Sequence, residues 1–263
     1  MINILKDKIK LIVFDISGTL IDHGSLVTVH TFQKAFKKYK IIVRPELIIK
    51  DMGISKDRHI KKILKHSYIH NQIIKNKINE KNLYYNLKVN FDKILKTEVK
   101  NKFDYISGFN SLIKYLEKKN ILIALTTGYP RPILNFILQR FKKEKKFVPD
   151  YAVSATDVKR GRPYNDMIIK ILKVLKINKS NTIKIDDSFS GILEGKNAKV
   201  KTVGLTLSGI NFLKRAHDRK KISNKIQNIK HLNLSKKFKN IETDFVLKDI
   251  SELKNLLLDN FDI

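Results

Sequence analysis

The sequence predicts an α/β fold: a doubly wound, Rossmann-like parallel-sheet core with an inserted all-helical unit. Three observations predict it. Beyond about residue 104, short apolar runs of strand type alternate with amphipathic helical patterns, as βαβ units require. One further apolar run, residues 9–14, stands far upstream of that series. Between the two, from about 22 to 100, the pattern is helical throughout. A chain of 263 residues is long enough for a large core that hosts a smaller inserted unit.

The elements follow in order. Residues 9–14 end at Asp15 with Gly18 close behind, so a buried strand delivers a carboxylate to a turn. Val29, Phe32, Phe36 and Tyr39 recur at helical spacing over 28–39. Pro45 suits the first turn of a short helix, which the loop Asp51-Met52-Gly53 follows. Residues 56–100 carry no strand signal and no proline. Phe109, Leu112, Ile113 and Leu116 predict a helix, Ile121–Thr126 a strand, and Pro132 the start of the next helix. Strands are expected at Tyr151–Ser154, Thr182–Ile185, about 202–207 and Phe245–Leu247, with helices over 163–175, 190–197 and 249–259. The Lys-rich stretch 212–243 fits either a surface helix pair or a mobile excursion.

Composition removes several function classes. The chain has no Cys, which excludes disulfide scaffolds, thiolate zinc sites and cysteine nucleophiles. Lys and Arg number 54 against 25 Asp and Glu, a formal charge of +29. That balance raises nucleic acid as a partner class. Yet only eight of the basic residues are Arg, and the Lys are scattered over nearly every predicted helix. Nucleic-acid binders use Arg for bidentate contacts and cluster their charge. Abundant Lys, Ile and Asn are what an A+T-rich coding sequence favours, so no nucleic-acid partner is expected. No segment reaches the roughly 18 apolar residues of a membrane span. Residues 1–10 are broken by charges and lack a signal-peptide core. A cytoplasmic location is the resulting default.

In open parallel sheets, ligands bind beyond the carboxyl ends of the strands. Here those ends carry Asp15, Thr127-Gly128, the loop Arg160-Gly161-Arg162-Pro163, and Asp186-Asp187. Together they supply a carboxylate nucleophile, a hydroxyl with a glycine amide, a cation and a further carboxylate. A phosphoryl group with a hard divalent cation needs such a set.

Phe14-Asp15-Ile16-Ser17-Gly18-Thr19 resembles the first motif of the haloacid dehalogenase superfamily of phosphotransferases. Thr127 matches the second motif, Arg162 takes the place of the third-motif cation, and Asp187 matches the fourth-motif acid. A finer resemblance is to the phosphonatase family within it. It rests on Met52-Gly53-Ile54-Ser55-Lys56 with His59, Thr126-Thr127-Gly128-Tyr129, Gly161-Arg162-Pro163-Tyr164, Glu194-Gly195-Lys196-Asn197-Ala198 and Asp244-Phe245.

The resemblance implies a core of residues 1–22 and 101–263 and a helical cap of residues 23–100. It implies cleavage of a P–C bond, with Lys56 forming a Schiff base with an aldehyde and Asp15 attacking phosphorus. His59 is implied as a proton shuttle or an orienting group. Mg2+ is expected between Asp15, the Ser17 carbonyl and Asp187. Thr127, the Gly128 amide and Arg162 are expected on phosphonate oxygens, with Tyr129 and Met52 lining the cleft. The implied partners are a small phosphonate substrate and a second copy of the chain, as a homodimer joined through the caps.

Two positions bear on the chemistry independently. Ordinary phosphatases of the superfamily carry a second Asp two residues after the nucleophile, to protonate an oxygen leaving group. Here that position is Ser17. Carbon leaving through a protonated imine needs no such acid, so Ser17 and Lys56 point to one chemistry. The fourth motif commonly has a further Asp where this chain has Gly191. Asp186, where the family has glycine, reads either as a loop residue or as a replacement for that carboxylate. A phosphatase of a small phosphorylated metabolite and a non-catalytic homologue therefore stay open as alternatives.

Overall fold

The computed structural model describes residues 8–21, 24–101, 103–212 and 222–263. The core strands are β1 (Leu11–Asp15), β2 (Leu122–Thr127), β3 (Tyr151–Ser154), β4 (Thr182–Asp186), β5 (Lys201–Leu205) and β6 (Phe245–Leu247). They form one parallel sheet in the order β3-β2-β1-β4-β5-β6. The chain builds outward from β1 to β3, then returns to lay β4 on the other side of β1. Strand order therefore reverses between β1 and β4, and a crevice opens beyond their carboxyl ends.

Both faces of the sheet are covered, and the two-residue period of a strand sorts the side chains. Ile12, Phe14, Leu125, Ile183 and Ile185 join one apolar cluster with α6 (Phe109–Lys118), α7 (Arg131–Lys143) and α12 (Leu253–Asn260). Leu11, Val13, Ala124 and Val153 join the other, with Met167, Ile168 and Ile171 of α8 (Asp166–Leu175). Helix α9 (Phe189–Ala198) packs on β4 and β5. The last helices are α10 (Gly209–Phe212) and α11 (Asn224–Lys239). Of the Lys-rich stretch, residues 224–239 are thus one helix, while 213–221 lie outside the described residues.

Between β1 and α6 the described chain is helical: α1 (Gly24–Lys37), α2 (Pro45–Ile49), α3 (Lys56–Leu64), α4 (Ser67–Lys75) and α5 (Glu80–Asn101). Leu83, Leu87, Phe91, Leu95 and Val99 recur every fourth position of α5 and are all buried. That single stripe packs on α1, with the Phe91 and Phe32 rings 4.5 Å apart. Among the described residues, no helix is long and apolar enough to cross a membrane.

Helix ends differ most from the sequence reading. The first helix spans 24–37 rather than 28–39, because Lys40 turns left-handed (φ 57°) and closes it. Lys77, Lys145, Lys176 and Lys199 also adopt positive φ, where helices more often place glycine. A lysine there carries a Cβ penalty of about 1 kcal/mol. Lys176, exposed at the end of α8 (φ 53°, ψ 40°), is the clean test. Lys176→Gly should raise the melting temperature by about 2–4 °C in a thermal scan.

Candidate active site

Three adjacent strands deliver side chains to the crevice. Asp15 ends β1, Thr126 and Thr127 end β2, and Asp186 ends β4 with Asp187 next in the chain. The connection from β3 to α8 adds Arg162. From above, the α2–α3 loop lays its backbone on the core, where the Met52 carbonyl accepts a hydrogen bond from Ser190 Oγ at 3.2 Å. A Cβ on Gly128 would lie 2.9 Å from the Ile54 carbonyl and 3.0 Å from that of Gly53. Any larger residue at 128 would push the two units apart, so this glycine permits their close approach.

Asp15, Ser17, Met52, Lys56, Thr127, Gly128, Tyr129, Arg162 and Asp187 line one cavity. These are the residues to which the resemblance gave a part in catalysis or binding, apart from His59, which is not among the walls. His59 is fully buried one helical turn behind Lys56, with its ring 4.4 Å from that of Phe32. Its nitrogens make no hydrogen bond of normal geometry, and the backbone of Ile48 is the polar group beside them. Burial holds the imidazole neutral, with the Lys56 charge acting in the same direction.

Arg162 is buried, and each of its three nitrogens has a partner. Nη1 donates to Asp15 Oδ1 at 2.9 Å, Nε to Glu194 Oε2 at 3.0 Å, and Nη2 to the Thr126 carbonyl and hydroxyl at 3.1 and 2.8 Å. Nη2 also lies 3.3 Å from Asp186 Oδ2. A second buried cation, Lys184, reaches Thr126 Oγ1 at 2.8 Å and Asp186 Oδ2 at 2.9 Å. The sequence reading assigned no role to Lys184, Thr126 or Glu194. A lysine between two isoleucines of a central strand was the available signal, since a buried strand tolerates a charge only when it is paired.

Two cations, Arg162 and Lys184, thus stand among four buried carboxylates: Asp15, Asp186, Asp187 and Glu194. The imbalance shows in their acidities. Burial, then the Asp186 charge, raises Asp15 to a pKa of about 6 against the pull of Arg162 and Lys184. Asp187 is pushed well above the ordinary range by burial and by Asp15 and Asp186, although the Ile210 amide donates to it at 2.8 Å. Burial also raises Asp186, but Arg162 and Lys184 outweigh it and hold that carboxyl low. Asp15, Asp186 and Asp187 offer oxygens that all lie within 4.8 Å of one another. Asp186 faces the two cations, whereas Asp15 and Asp187 face the cavity. An excess of two carboxylates, all hard oxygen donors, fits one divalent cation held by Asp15 and Asp187.

Lys56 opens α3, and its ammonium group lies 5.5 Å from the Tyr129 ring centroid and 5.9 Å from that of Phe32. Tyr129 is fixed in turn by its hydroxyl, 3.1 Å from Thr28 Oγ1. Burial lowers the Lys56 pKa from 10.5 to about 7; Asp15 opposes the shift and Arg162 adds to it. The free amine is thus within reach near neutrality. A depressed pKa also costs stability, fully at and below pH 7 and fading as pH rises toward 10.5. Lys56→Met should therefore stabilise the metal-free protein at pH 7 by ~2–4 kcal/mol in denaturant titrations, with the gain shrinking toward pH 10.

Residues 12–205 match the haloacid dehalogenase-like hydrolase family. The phosphonoacetaldehyde hydrolase of Latilactobacillus sakei is 32% identical over 95% of this chain and 95% of its own. That of Bacillus mycoides is 28% identical over 95% of this chain and 96% of its own. A crystal structure of a phosphonoacetaldehyde hydrolase-like protein from Oleispira antarctica superposes with a TM-score of 0.90 at 29% identity, covering 98% of this chain and 95% of that one. The chain belongs to the haloacid dehalogenase-like hydrolases and, within them, to the phosphonoacetaldehyde hydrolase family.

Proposed function

We propose that this protein hydrolyses the P–C bond of phosphonoacetaldehyde to acetaldehyde and phosphate, through an imine on Lys56 and a phosphoryl group on Asp15. The observation that carries the reading is a buried lysine, with its pKa drawn to about 7, on the wall of the cavity that Asp15 enters from below. The names of the relatives support the same substrate. Ser17 supports it further: a phosphomonoesterase would lack a proton donor for its alkoxide at that position.

The steps follow from the groups present. The free amine of Lys56 adds to the aldehyde, and the carbinolamine takes up one proton from solvent and loses water, giving a protonated imine. Asp15, with Oδ1 held by Arg162, attacks phosphorus. As the new P–O bond forms, the electrons of the P–C bond pass into the imine, and carbon leaves as an enamine. Water hydrolyses the aspartyl phosphate. Protonation of the enamine at carbon and hydrolysis of the resulting imine release acetaldehyde and regenerate Lys56. Thr127, the Gly128 amide and Arg162 steady the phosphonate oxygens. Asp15, Asp187 and the Ser17 carbonyl would hold Mg2+, which when bound neutralises charge on those oxygens. His59, neutral and packed against Phe32, keeps the floor beneath Lys56 rigid and dry.

The test is a coupled assay for acetaldehyde and phosphate from phosphonoacetaldehyde with Mg2+, run beside borohydride reduction. Equimolar products, and a two-carbon adduct mapped to Lys56 by mass spectrometry, are expected. Phosphate release without acetaldehyde, or an adduct that maps elsewhere, would sink the reading.

A further inference from the structure

Two cavities meet at Lys56 and Gly128, which line both. The first, which Asp15 and Arg162 enter, offers about 30 Å³ of free space, so a phosphate held there leaves no passage beside it. The second, of about 220 Å³, lies between the helical unit and the β3–α8 connection of the core. Its walls sort by depth. Ile60 and Phe91 from the helical unit and Ala155 from the core are buried, while Lys88, Thr156 and Lys159 are exposed. The buried wall is thus apolar and the charges stand toward solvent. In the first cavity the order is reversed, because Asp15, Arg162 and Asp187 are all buried.

That contrast sorts ligands by charge. A dianion is held in the first cavity and disfavoured along the apolar wall of the second. A small neutral molecule meets no such cost. An apolar cavity of ~150 Å³ takes up benzene, so a two-carbon aldehyde and water both fit in the second. Gly161 keeps the seam open. Its backbone is not left-handed, and a Cβ built on it would lie 3.4 Å from the Ala155 Cβ and 3.5 Å from the Ser55 Cβ. One methyl fits there at ordinary contact, and a longer side chain would fill the gap between core and helical unit.

The chemistry needs a route on this side of Lys56. After the P–C bond breaks, the phosphoryl group is on Asp15 and the two-carbon fragment is on Lys56. Water must then add to the carbon of the protonated imine. The C–N bond breaks, acetaldehyde departs, and Lys56 recovers its ammonium form. We propose that the second cavity is the passage by which water reaches Lys56 and acetaldehyde leaves, while phosphate stays behind in the first. The inference rests on the imine reading of the preceding section.

Alkylation by free acetaldehyde tests the passage without turnover. With cyanoborohydride at pH 7, the parent should gain an ethyl group on Lys56, mapped by mass spectrometry. Saturating inorganic phosphate with Mg2+ should slow that ethylation by less than ~3-fold, since the aldehyde does not enter through the first cavity. Ala155→Leu, which fills the buried wall, should slow it by ~10-fold or more, with acetyl phosphate hydrolysis unchanged. During turnover of phosphonoacetaldehyde the same variant should release phosphate in a burst and accumulate adduct on Lys56. Gly161→Ala, whose methyl meets no clash, should slow ethylation by ~2–5-fold and decides the matter if the leucine variant does not fold. The proposal is overturned if phosphate blocks ethylation of the parent, or if the folded variants ethylate as fast as the parent. A parent that yields no acetaldehyde from phosphonoacetaldehyde would overturn the functional reading, and the ethylation rates would still decide this one.

Discussion

Lys56→Ala should lower kcat/KM for phosphonoacetaldehyde by ~10⁴-fold or more, because carbon cannot leave as a bare carbanion once the imine is gone. The same variant should still hydrolyse acetyl phosphate within ~10-fold of the parent. A carboxylate leaves unaided, so that reaction needs neither the imine nor an acid at position 17. The separation is possible because Lys56 enters from the helical unit, whereas Asp15, Asp187 and Arg162 stand on the strand ends and their connections. The pH dependence should carry the same signature. With Lys56 titrating at about 7, kcat/KM should rise with pH and level off above 7. Below 7 the lysine is protonated and cannot add to the aldehyde. An alanine variant that kept phosphonoacetaldehyde hydrolysis within tenfold of the parent would rule out the imine.

The parts of this site that were legible in the sequence are those fixed by strand ends and by short motifs. Asp15 follows four apolar residues and Asp187 follows the β4 run, so the sheet alone carries both to one edge. Lys56 was legible through the residues around it, not through its charge, in a chain with 54 basic residues. The cation network was hidden because its members come from four separate elements and meet only across the sheet. Thr126 ends β2, Arg162 precedes α8, Lys184 lies within β4, and Glu194 sits on α9. No periodicity links them. Asp186 beside Gly191 could be read either as a loss or as a replacement, and only the structure shows that a Cβ on Gly191 would lie 1.9 Å from Asp186 Oδ2. The end of the first helix was misplaced for a simpler reason: positive φ at Lys40 leaves no glycine to mark the stop.

Asp15→Asn should abolish phosphate release, by ~10⁴-fold or more, without preventing the first half of the reaction. The aldehyde adds to Lys56 through chemistry that does not involve phosphorus, so borohydride should still trap the substrate on the variant. The pH at which trapping reaches half its maximum should also fall below 7. The Asp15 charge is what favours protonation of Lys56 against burial, and asparagine removes it. Stability should move in a direction that a simple loss of contacts does not predict. The Asp15 pKa is raised in the folded protein from 3.8 to about 6, so the folded state favours the protonated acid. That contribution is complete below about 3.8 and is lost as pH rises through 6, after which the buried charge costs up to about 3 kcal/mol. Asparagine does not titrate. Measured without metal, the stability of Asp15→Asn relative to the parent should therefore rise by up to about 3 kcal/mol between pH 4 and pH 8. Saturating Mg2+ should reverse the trend, since only the parent keeps the charge that the cation needs. A variant whose relative stability stayed flat over that range would mean that Asp15 is not held in an anion-rich, buried site, and the basis for both its acidity and its cation would fail with it.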